Sequence, residues 1–290
     1  YIDALRKLKP KLKYKYKLNK LKTICSTGSP LSSDGFNYVY KNIKKNVHLT
    51  SISGGTDVVG CLVLGNIFSK VYAGEIQGES LGIDVDIFGE NGRKVPKNQK
   101  GELVIKKPFP TMPIKFWNDP KNKKFKNAYF TKYKNIWHHG DFIQKTKNGG
   151  FIIYGRSDAT LNPGGVRIGT AEIYRQVEKI NFIRESLVVG QERDGDVKIL
   201  LFVVMNKKNK LSDSDIDFIK KKIKKDCSPK HVPHKVIKID EIPRTKSGKI
   251  VELAVKKAIH GNKIENLQAL ANPKSINFFK KLYKSNLLNE

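Results

Sequence analysis

The segment GRSDATLNPGGVRIGTAEI occupies residues 155–173 and separates two parts of the sequence that differ in pattern. Its centre, Asn162-Pro163-Gly164-Gly165, combines residue types that favour turns. From about Thr170 it begins a helical pattern. Before this segment apolar residues alternate as in strands, and after it short strand-like and helix-like stretches follow one another. We therefore predict a domain boundary near residue 156.

The part after the boundary, 157–262, is predicted to be a compact α+β domain of about a hundred residues, a common domain size. Strands are expected near 187–190, 197–204 and 236–239, and helices from about Thr170, from Ser212 and over 251–259. Ser212 and Asp215 form a capping-box pattern, and an isoleucine face follows them in the same predicted helix. Residues 263–290 are expected to form a weakly structured or helical tail.

The part before the boundary, 1–156, is predicted to be β-rich after a basic helical start over 1–22. Alternation at Ile83, Val85 and Ile87 indicates a strand, and further strands are expected near 102–105 and 151–154. The Gly-Gly pair in SISGGTDVVG, residues 51–60, predicts a turn at the end of a strand.

The composition and charge of the chain bear on three classes of function: nucleic-acid binding, metal binding and membrane insertion. The formal net charge is +29, but only eight of the 56 basic residues are Arg, and the lysines are spread through nearly every segment. A nucleic-acid-binding protein would more often concentrate Arg, Lys and aromatic residues on one element. Nucleic-acid binding therefore remains only an alternative hypothesis. Cys25, Cys61 and Cys227 have no metal-ligand spacing. No transmembrane stretch or signal-peptide core is evident, and we expect a cytoplasmic protein.

Five polar segments contain the candidate binding and catalytic residues. They are STGSPL (26–31), SGGTD (53–57), WHHGD (137–141), the segment 155–173 and PRTKSGK (243–249). Their order and spacing resemble the adenylate-forming acyl-CoA synthetase superfamily. This resemblance implies the rear part of a large, β-rich N-terminal AMP-binding domain with a β-barrel-like section, followed by a small, mobile α+β C-terminal domain.

In the first motif, Gly28, Ser29 and Pro30 resemble the family segment that lines the adenine pocket. A Gly-Ser-Pro turn exposes backbone donors and acceptors that can read the edge of a base. An ordinary surface turn would show the same residue types, so the assignment depends on the other motifs.

In the second motif, Gly55, Thr56 and Asp57 resemble the family segment at the nucleotide phosphates. The resemblance gives the Thr56 hydroxyl a catalytic contact with the α-phosphate and Asp57 a part in holding Mg²⁺, which prefers oxygen ligands. Many family members have an aromatic-Gly-x-Thr-Glu sequence here, so the Gly-Gly-Thr-Asp form is a departure. Without the other motifs, a Gly-rich turn capped by Asp would be the simpler interpretation.

Asp141 resembles the carboxylate that binds the ribose, since its two oxygens can accept from both hydroxyls of a vicinal diol. Its neighbours His138 and His139 suggest a metal site, but adjacent strand residues point to opposite faces and cannot easily chelate one ion. Arg156 and Arg167 match family arginines that contact ribose and α-phosphate, whereas exposed salt-bridge arginines are the alternative.

Three further positions match the family's mobile parts. Asp158 resembles the hinge about which the C-terminal domain turns. Gly164 and Gly165 resemble the loop along the pantetheine tunnel, where a residue without a side chain permits close approach of a thin ligand. Lys249 resembles the mobile catalytic lysine that enters the active site for adenylation and stabilises shared negative charge.

By this resemblance the protein is an acid–thiol ligase that uses ATP, Mg²⁺ and CoA, with small molecules as its only expected partners. The runs PFPTMP (108–113) and KFWND (115–119) give a finer similarity to members that activate acetoacetate. A Ser/Thr/Gly-rich phosphate-binding loop ending in Lys is not found before Ser26, so we expect a fragment. Another short-chain acyl-CoA synthetase and a non-catalytic AMP- or CoA-binding remnant remain alternatives.

Overall fold

A computed structural model describes residues 1–206, 210–264, 266–285 and 288. The chain forms two compact units, Tyr1–Tyr154 and Gly155–Glu290. The predicted boundary near residue 156 lies close to this division. Among the described residues, no helix has the length and apolar content to cross a membrane.

The helices of the first unit are α1 (Ile2–Leu8), α2 (Leu12–Lys15), α3 (Ser33–Tyr38) and α4 (Lys123–Tyr129). Its strands are β1 (Thr23–Ser26), β2 (His48–Ser51), β3 (Ser53–Gly55), β4 (Gly60–Leu64), β5 (Gly78–Glu79), β6 (Val85–Phe88), β7 (Lys100–Ile105), β8 (Trp137–Lys145) and β9 (Phe151–Arg156), the last of which runs on past Tyr154. The basic start is thus two short helices. Lys9, which ends α1, has a left-handed φ of 48°, and Pro10 behind it cannot donate a helical hydrogen bond.

The first unit contains separate open sheets. Strands β1 and β2 form a parallel pair, β3, β4 and β5 an antiparallel sheet, and β6-β7-β8-β9 a four-stranded sheet in sequence order. The expected β-barrel-like section is therefore wrong for this chain, because β6 and β9 are edges that do not pair with each other to close the four-stranded sheet. The β-rich character is confirmed.

Apolar residues of these sheets share one core with aromatic residues of α4 and its flanking loops. Trp137, 2% exposed, lies at its centre, edge-on to Phe109 and Phe130. Phe125 of α4 packs against the same ring at 6.1 Å between centroids. This cluster fixes the start of β8, the strand that carries the WHHGD motif.

The second unit has the strands β10 (Ile183–Arg193), β11 (Asp196–Met205) and β12 (Lys235–Lys238) and the helices α5 (Thr170–Val177), α6 (Asp213–Asp226), α7 (Glu252–Ile259) and α8 (Ile276–Lys284). The sheet order is β10-β11-β12, antiparallel between the first two and parallel between the last two. The predicted capping box of α6 is confirmed, since the Ser212 hydroxyl accepts from the Asp215 amide at 3.2 Å.

Strand β11 is buried on both faces, which makes this unit a three-layer structure. Successive strand residues point to opposite sides. Leu200, Phe202 and Val204 therefore join the core with α7 and α8, and the alternate residues Leu201 and Val203 join the core with α5 and α6. A continuous apolar run, ILLFVVM, is what such a central strand requires.

The segment after residue 262, treated above as a tail, contributes to the core of the second unit. Ile276, Phe279 and Leu282 lie on one face of α8, with exposed fractions of 1%, 0% and 7%. Phe279 meets Phe202 edge to face, with ring centroids 5.0 Å apart. The structure therefore places α8 as one layer of this unit.

Replacing Phe202 by Ala is expected to lower the free energy of unfolding of the second unit by about 3–5 kcal/mol, because a buried aromatic ring would leave a cavity in a packed core. Phe218→Ala is the matched control: this side chain on α6 is 53% exposed, and its loss should cost less than about 1 kcal/mol. Urea unfolding followed by circular dichroism measures both. Equal losses would contradict the assigned central position of β11.

Candidate functional site

Two predicted nucleotide segments of the first unit leave the same edge of a sheet. Strands β1 and β2 run parallel with Ser26 opposite Ser51, and the Ile52 amide donates to the Ser26 carbonyl at 2.9 Å. The STGSPL loop follows β1, and the SGGTD segment follows β2. In open α/β sheets ligands bind beyond the carboxyl ends of parallel strands. Gly28 to Pro30 are exposed in the loop after β1, and Thr56 and Asp57 are exposed in the turn after β3.

The glycines of these segments serve different needs. Gly28 has a φ of +91° and open space around it, so the turn needs its backbone freedom. Gly54 and Gly55 lie within β3, and the turn that follows is Thr56–Val59, which corrects the expected Gly-Gly turn. A side chain at Gly54 would collide with the Gly60 backbone, and a Cβ at Gly55 would stand 2.9 Å from His139 Cε1. Neighbouring atoms approach the backbone at both positions too closely for a side chain, which explains why both residues are glycine.

Strand β8 presents Asp141 to the SGGTD segment. The register between β7 and β8 shifts next to Gly140, whose φ is +82°, and such bulges re-aim side chains. The Asp141 side chain is 10% exposed, with Oδ2 4.0 Å from His139 Nε2 and 3.5 Å from the Ser53 hydroxyl, which donates to it. Trp137 Nε1 donates to His139 Nδ1 at 3.3 Å. The Asp141 carboxylate thus contacts one residue of each motif, Ser53 of SGGTD and His139 of WHHGD.

His138 faces different partners from His139. Its Nε2 lies 2.9 Å from Glu102 Oε2, and the Lys132 ammonium donates to Glu102 Oε1 at 2.7 Å. Glu102 is fully buried, so these partners compensate the loss of its hydration. The two imidazoles therefore contact separate groups, as the alternation along a strand predicts.

The Asp57 carboxylate has a partner that the motifs do not contain. The Tyr129 hydroxyl, at the end of α4, donates to Asp57 Oδ2 at 2.5 Å. Sequence reasoning missed Tyr129 because it lies 72 residues from Asp57 in a helix with no motif of its own. It also missed Ser53 and His139 as contacts of Asp141, since only the folded sheet brings them together.

In the second unit, Arg156 and Asp158 lie at the start of the segment 155–173. Both are exposed, with Arg156 Nε 3.6 Å from Asp158 Oδ1. Asp158 is inside a single 3₁₀ turn, Ser157–Ala159, which joins β9 to the rest of the unit. Both side chains therefore lie at the surface next to a short connection.

The Pro163–Gly165 loop is the tip of a short hairpin closed by a bridge between Leu161 and Ile168. Gly164 and Gly165 have φ values of +56° and +77°, which favour glycine. The Gly164 amide donates to Asp196 Oδ1 at 2.7 Å. This hydrogen bond, with one from the Val197 amide, lowers the pKa of the Asp196 carboxyl. The loop is therefore anchored while its glycines remain exposed.

Arg167 and Lys249 occupy two different loops of the second unit. Arg167 lies in the returning arm of the hairpin, next to buried Ile168. Lys249 is exposed in a tight turn: its amide donates to Thr245 Oγ1 at 3.0 Å, and its carbonyl accepts from the Thr245 amide at 2.9 Å. Arg244 Nη1 donates to the Gly248 carbonyl at 2.7 Å. The turn has a defined backbone and a projecting ammonium group.

Helix α7, which follows this turn, is tied to α5 through Glu252. The Tyr174 hydroxyl donates to Glu252 Oε1 at 2.6 Å, and it accepts from the Val188 amide at 3.1 Å. Burial, more than the nearby negative charge of Asp158, raises the pKa of the Glu252 carboxyl. The same burial and the negative charge of Glu252 raise the pKa of Tyr174. Glu252 was not among the predicted residues.

Comparison with known proteins shows what this chain is similar to. The acetoacetyl-coenzyme A synthetase of Rhizobium meliloti (strain 1021) is 51% identical over 279 residues, which are 96% of this chain and 43% of that protein. The acetoacetyl-CoA synthetase of Xenopus tropicalis is 43% identical over 92% of this chain and 40% of its own length. The solved acetoacetyl-CoA synthetase from Streptomyces lividans matches with a TM-score of 0.90 and 36% identity, over 99% of this chain and 44% of that one.

These matches relate the chain to the adenylate-forming superfamily. Within it the chain is homologous to acetoacetyl-CoA synthetases, which confirms the family resemblance inferred from the sequence. It spans less than half the length of the relatives it matches. The anthranilate CoA ligase AuaEII shares the fold at 19% identity and a TM-score of 0.74. No family model matches the chain.

Glu252→Gln is expected to make stability less sensitive to rising pH. Because the folded-state pKa is raised, the wild-type contribution is full below the ordinary value of 4.5 and is lost as pH rises through the folded pKa. Glutamine stays neutral and still accepts from Tyr174. Melting temperatures should therefore diverge in favour of the variant as pH increases from about 4 to 8. A constant difference over this range would contradict the raised pKa.

Proposed function

We propose that this chain is part of a ligase that joins acetoacetate to CoA through an acyl-adenylate. The main support for this proposal is the 51% identity to the Rhizobium meliloti acetoacetyl-coenzyme A synthetase over 96% of the chain. The geometry of the motif loops supports it, because the STGSPL and SGGTD segments follow the adjacent parallel strands β1 and β2. ATP, CoA and a short carboxylic acid are the partners that the proposal needs.

In the proposed first step, a carboxylate oxygen attacks the α-phosphorus of ATP and the bond to pyrophosphate breaks. The loop 28–30 would border the adenine, and Asp141 would accept from the ribose hydroxyls. Asp141 suits this role because it is buried and already oriented by Ser53 and His139. Most of the acceleration would come from positioning and from stabilising charge in the transition state.

The phosphate groups would lie at Gly55, Thr56 and Asp57. The exposed Thr56 hydroxyl and Asp57 carboxylate, in the turn after β3, are oxygen donors of the kind that Mg²⁺ prefers, so these residues fit the ion. When bound, Mg²⁺ neutralises part of the charge on the phosphate oxygens. The Thr56 hydroxyl would donate to an α-phosphate oxygen.

The second unit would supply three cationic groups. We assign Arg156 and Arg167 together to the ribose and the α-phosphate, and Lys249 to the attacking carboxylate and α-phosphate. A guanidinium group forms paired hydrogen bonds with phosphate oxygens, and an ammonium group acts as a compact charge. Lys249 projects from a hydrogen-bonded turn, so its backbone needs little further ordering.

In the proposed second step, the CoA sulfur attacks the acyl carbonyl carbon, the bond to AMP breaks and the thiol proton passes to water. Gly164 and Gly165 would border the pantetheine arm, since neither presents a side chain to it. Asp158 would lie at the hinge between domains 1–156 and 157–262. Its place in a single exposed turn supports this, because hinges are a few residues that absorb dihedral change.

Acid-dependent release of pyrophosphate from ATP and Mg²⁺ tests the proposal. The natural full-length protein is compared with acetoacetate, acetate, propionate and butyrate. A strong preference for acetoacetate supports the full assignment. Preference for another acid would keep the adenylation chemistry and replace the substrate, and binding of AMP or CoA without any release would favour a non-catalytic binding protein.

Lys249→Ala in the full-length protein is expected to slow adenylation by about a hundredfold or more, because the charge shared between carboxylate and phosphate loses its cation. Thioester formation from supplied acyl-AMP should be largely kept. Lys246→Ala is the matched control, since Lys246 is exposed in the same turn. Single-turnover assays separate the two steps. An equal loss in both would contradict the role of Lys249.

A further inference from the structure

The Tyr129 hydroxyl has no part in the reaction described above, although it touches a residue assigned to it. It donates to Asp57 Oδ2 at 2.5 Å. The contact therefore joins the end of α4 to the candidate Mg²⁺ ligand in the turn after β3.

The position of the donor is set by the aromatic core. The Tyr129 ring stacks on Trp137 with centroids 3.6 Å apart and planes inclined by 13°. Phe116 and Phe125 pack edge-on against the same ring, at 6.2 and 6.0 Å. Trp137 is itself buried and donates to His139. The hydroxyl thus stands on a side chain with little rotational freedom.

The acceptor lies in the four-residue turn between the paired strands β3 and β4, on an exposed side chain. Asp57 is exposed in the turn Thr56–Val59, which is closed by one hydrogen bond of 3.2 Å from the Val59 amide to the Thr56 carbonyl. Val59 has a φ of +45°, a left-handed conformation that is unusual for a β-branched residue. A short carboxylate side chain on such a turn needs an external partner to keep one orientation.

One donor does not saturate the carboxylate. Two oxygens offer about four lone-pair sites, so a hydroxyl at Oδ2 leaves capacity for a cation. Ordering a ligand group before binding lowers the entropy lost on binding. A donor on a fixed aromatic ring is suited to this, because the ring is ordered whether or not a nucleotide is present.

We propose that Tyr129 is a positioning residue that holds Asp57 in the orientation required to bind the Mg²⁺ of a Mg²⁺–nucleotide complex. This inference rests on the proposed function of Asp57. Tyr129 acts through Asp57 and touches neither substrate nor reacting atoms. The contact contributes to affinity for the metal–nucleotide complex and not to affinity for the nucleotide without metal.

Tyr129→Phe tests the role because it keeps the stacked ring and removes only the hydroxyl. Calorimetric titration of the full-length protein with ATP is made with excess Mg²⁺ and with a chelator. The variant is expected to bind ATP about three- to tenfold more weakly with Mg²⁺ and with unchanged affinity in chelator. Tyr133→Phe is the matched control, since its hydroxyl donates to the Gly89 carbonyl at 3.2 Å and both affinities should stay within about twofold.

Asp57→Ala supplies the second arm. Without the carboxylate, adding Tyr129→Phe should change the Mg²⁺-dependent affinity no further, so the two effects are not additive. Melting temperatures of all variants confirm that the fold is intact. Wild-type affinity in Tyr129→Phe, or equal weakening with and without Mg²⁺, would overturn the proposal. Absence of any nucleotide binding by the wild-type protein would instead reject the proposed function on which it rests.

Discussion

The close backbone approach at Gly54 and Gly55 is the constraint on which the candidate site depends. Gly54 lies against the backbone of β4, and Gly55 lies against the ring of His139. Side chains at these positions would push β3 away from both neighbours. With β3 in place, Ser53 reaches Asp141 and the following turn presents Asp57. Two residues without side chains therefore bring together segments that are far apart in the sequence.

The carboxylates of Glu102, Asp141 and Asp57 differ in how far they are buried and in which partners they have. Glu102 is fully buried between Lys132 and His138, and each of its two carboxylate oxygens contacts one of them. Asp141 is buried but held at an edge by polar neighbours, whereas Asp57 is exposed and oriented from one side. Chemically similar groups thus differ because desolvation and hydrogen bonding leave them different acceptor capacity.

The second unit combines a rigid centre with exposed loops. Strand β11 is covered on both faces, so the sheet can support turns that contribute little to the core themselves. The Gly164 loop is fixed by Asp196, and the Lys249 turn is fixed by Arg244 and Thr245. Functional groups on loops are positioned in this way when a packed scaffold defines the loop ends. Glu252 extends the same support into α7.

The sequence alone determined the α+β character, the strands and helices of residues 157–262 and the resemblance to acyl-CoA synthetases, because periodic apolar patterns and ordered motifs are local signals. It did not show that the sheets of the first unit stay open, that α8 completes a core, or that Gly54 and Gly55 lie inside a strand. These features depend on strand pairing and on contacts between distant residues. Tyr129 illustrates the difference, since only tertiary packing against Trp137 brings its hydroxyl to Asp57.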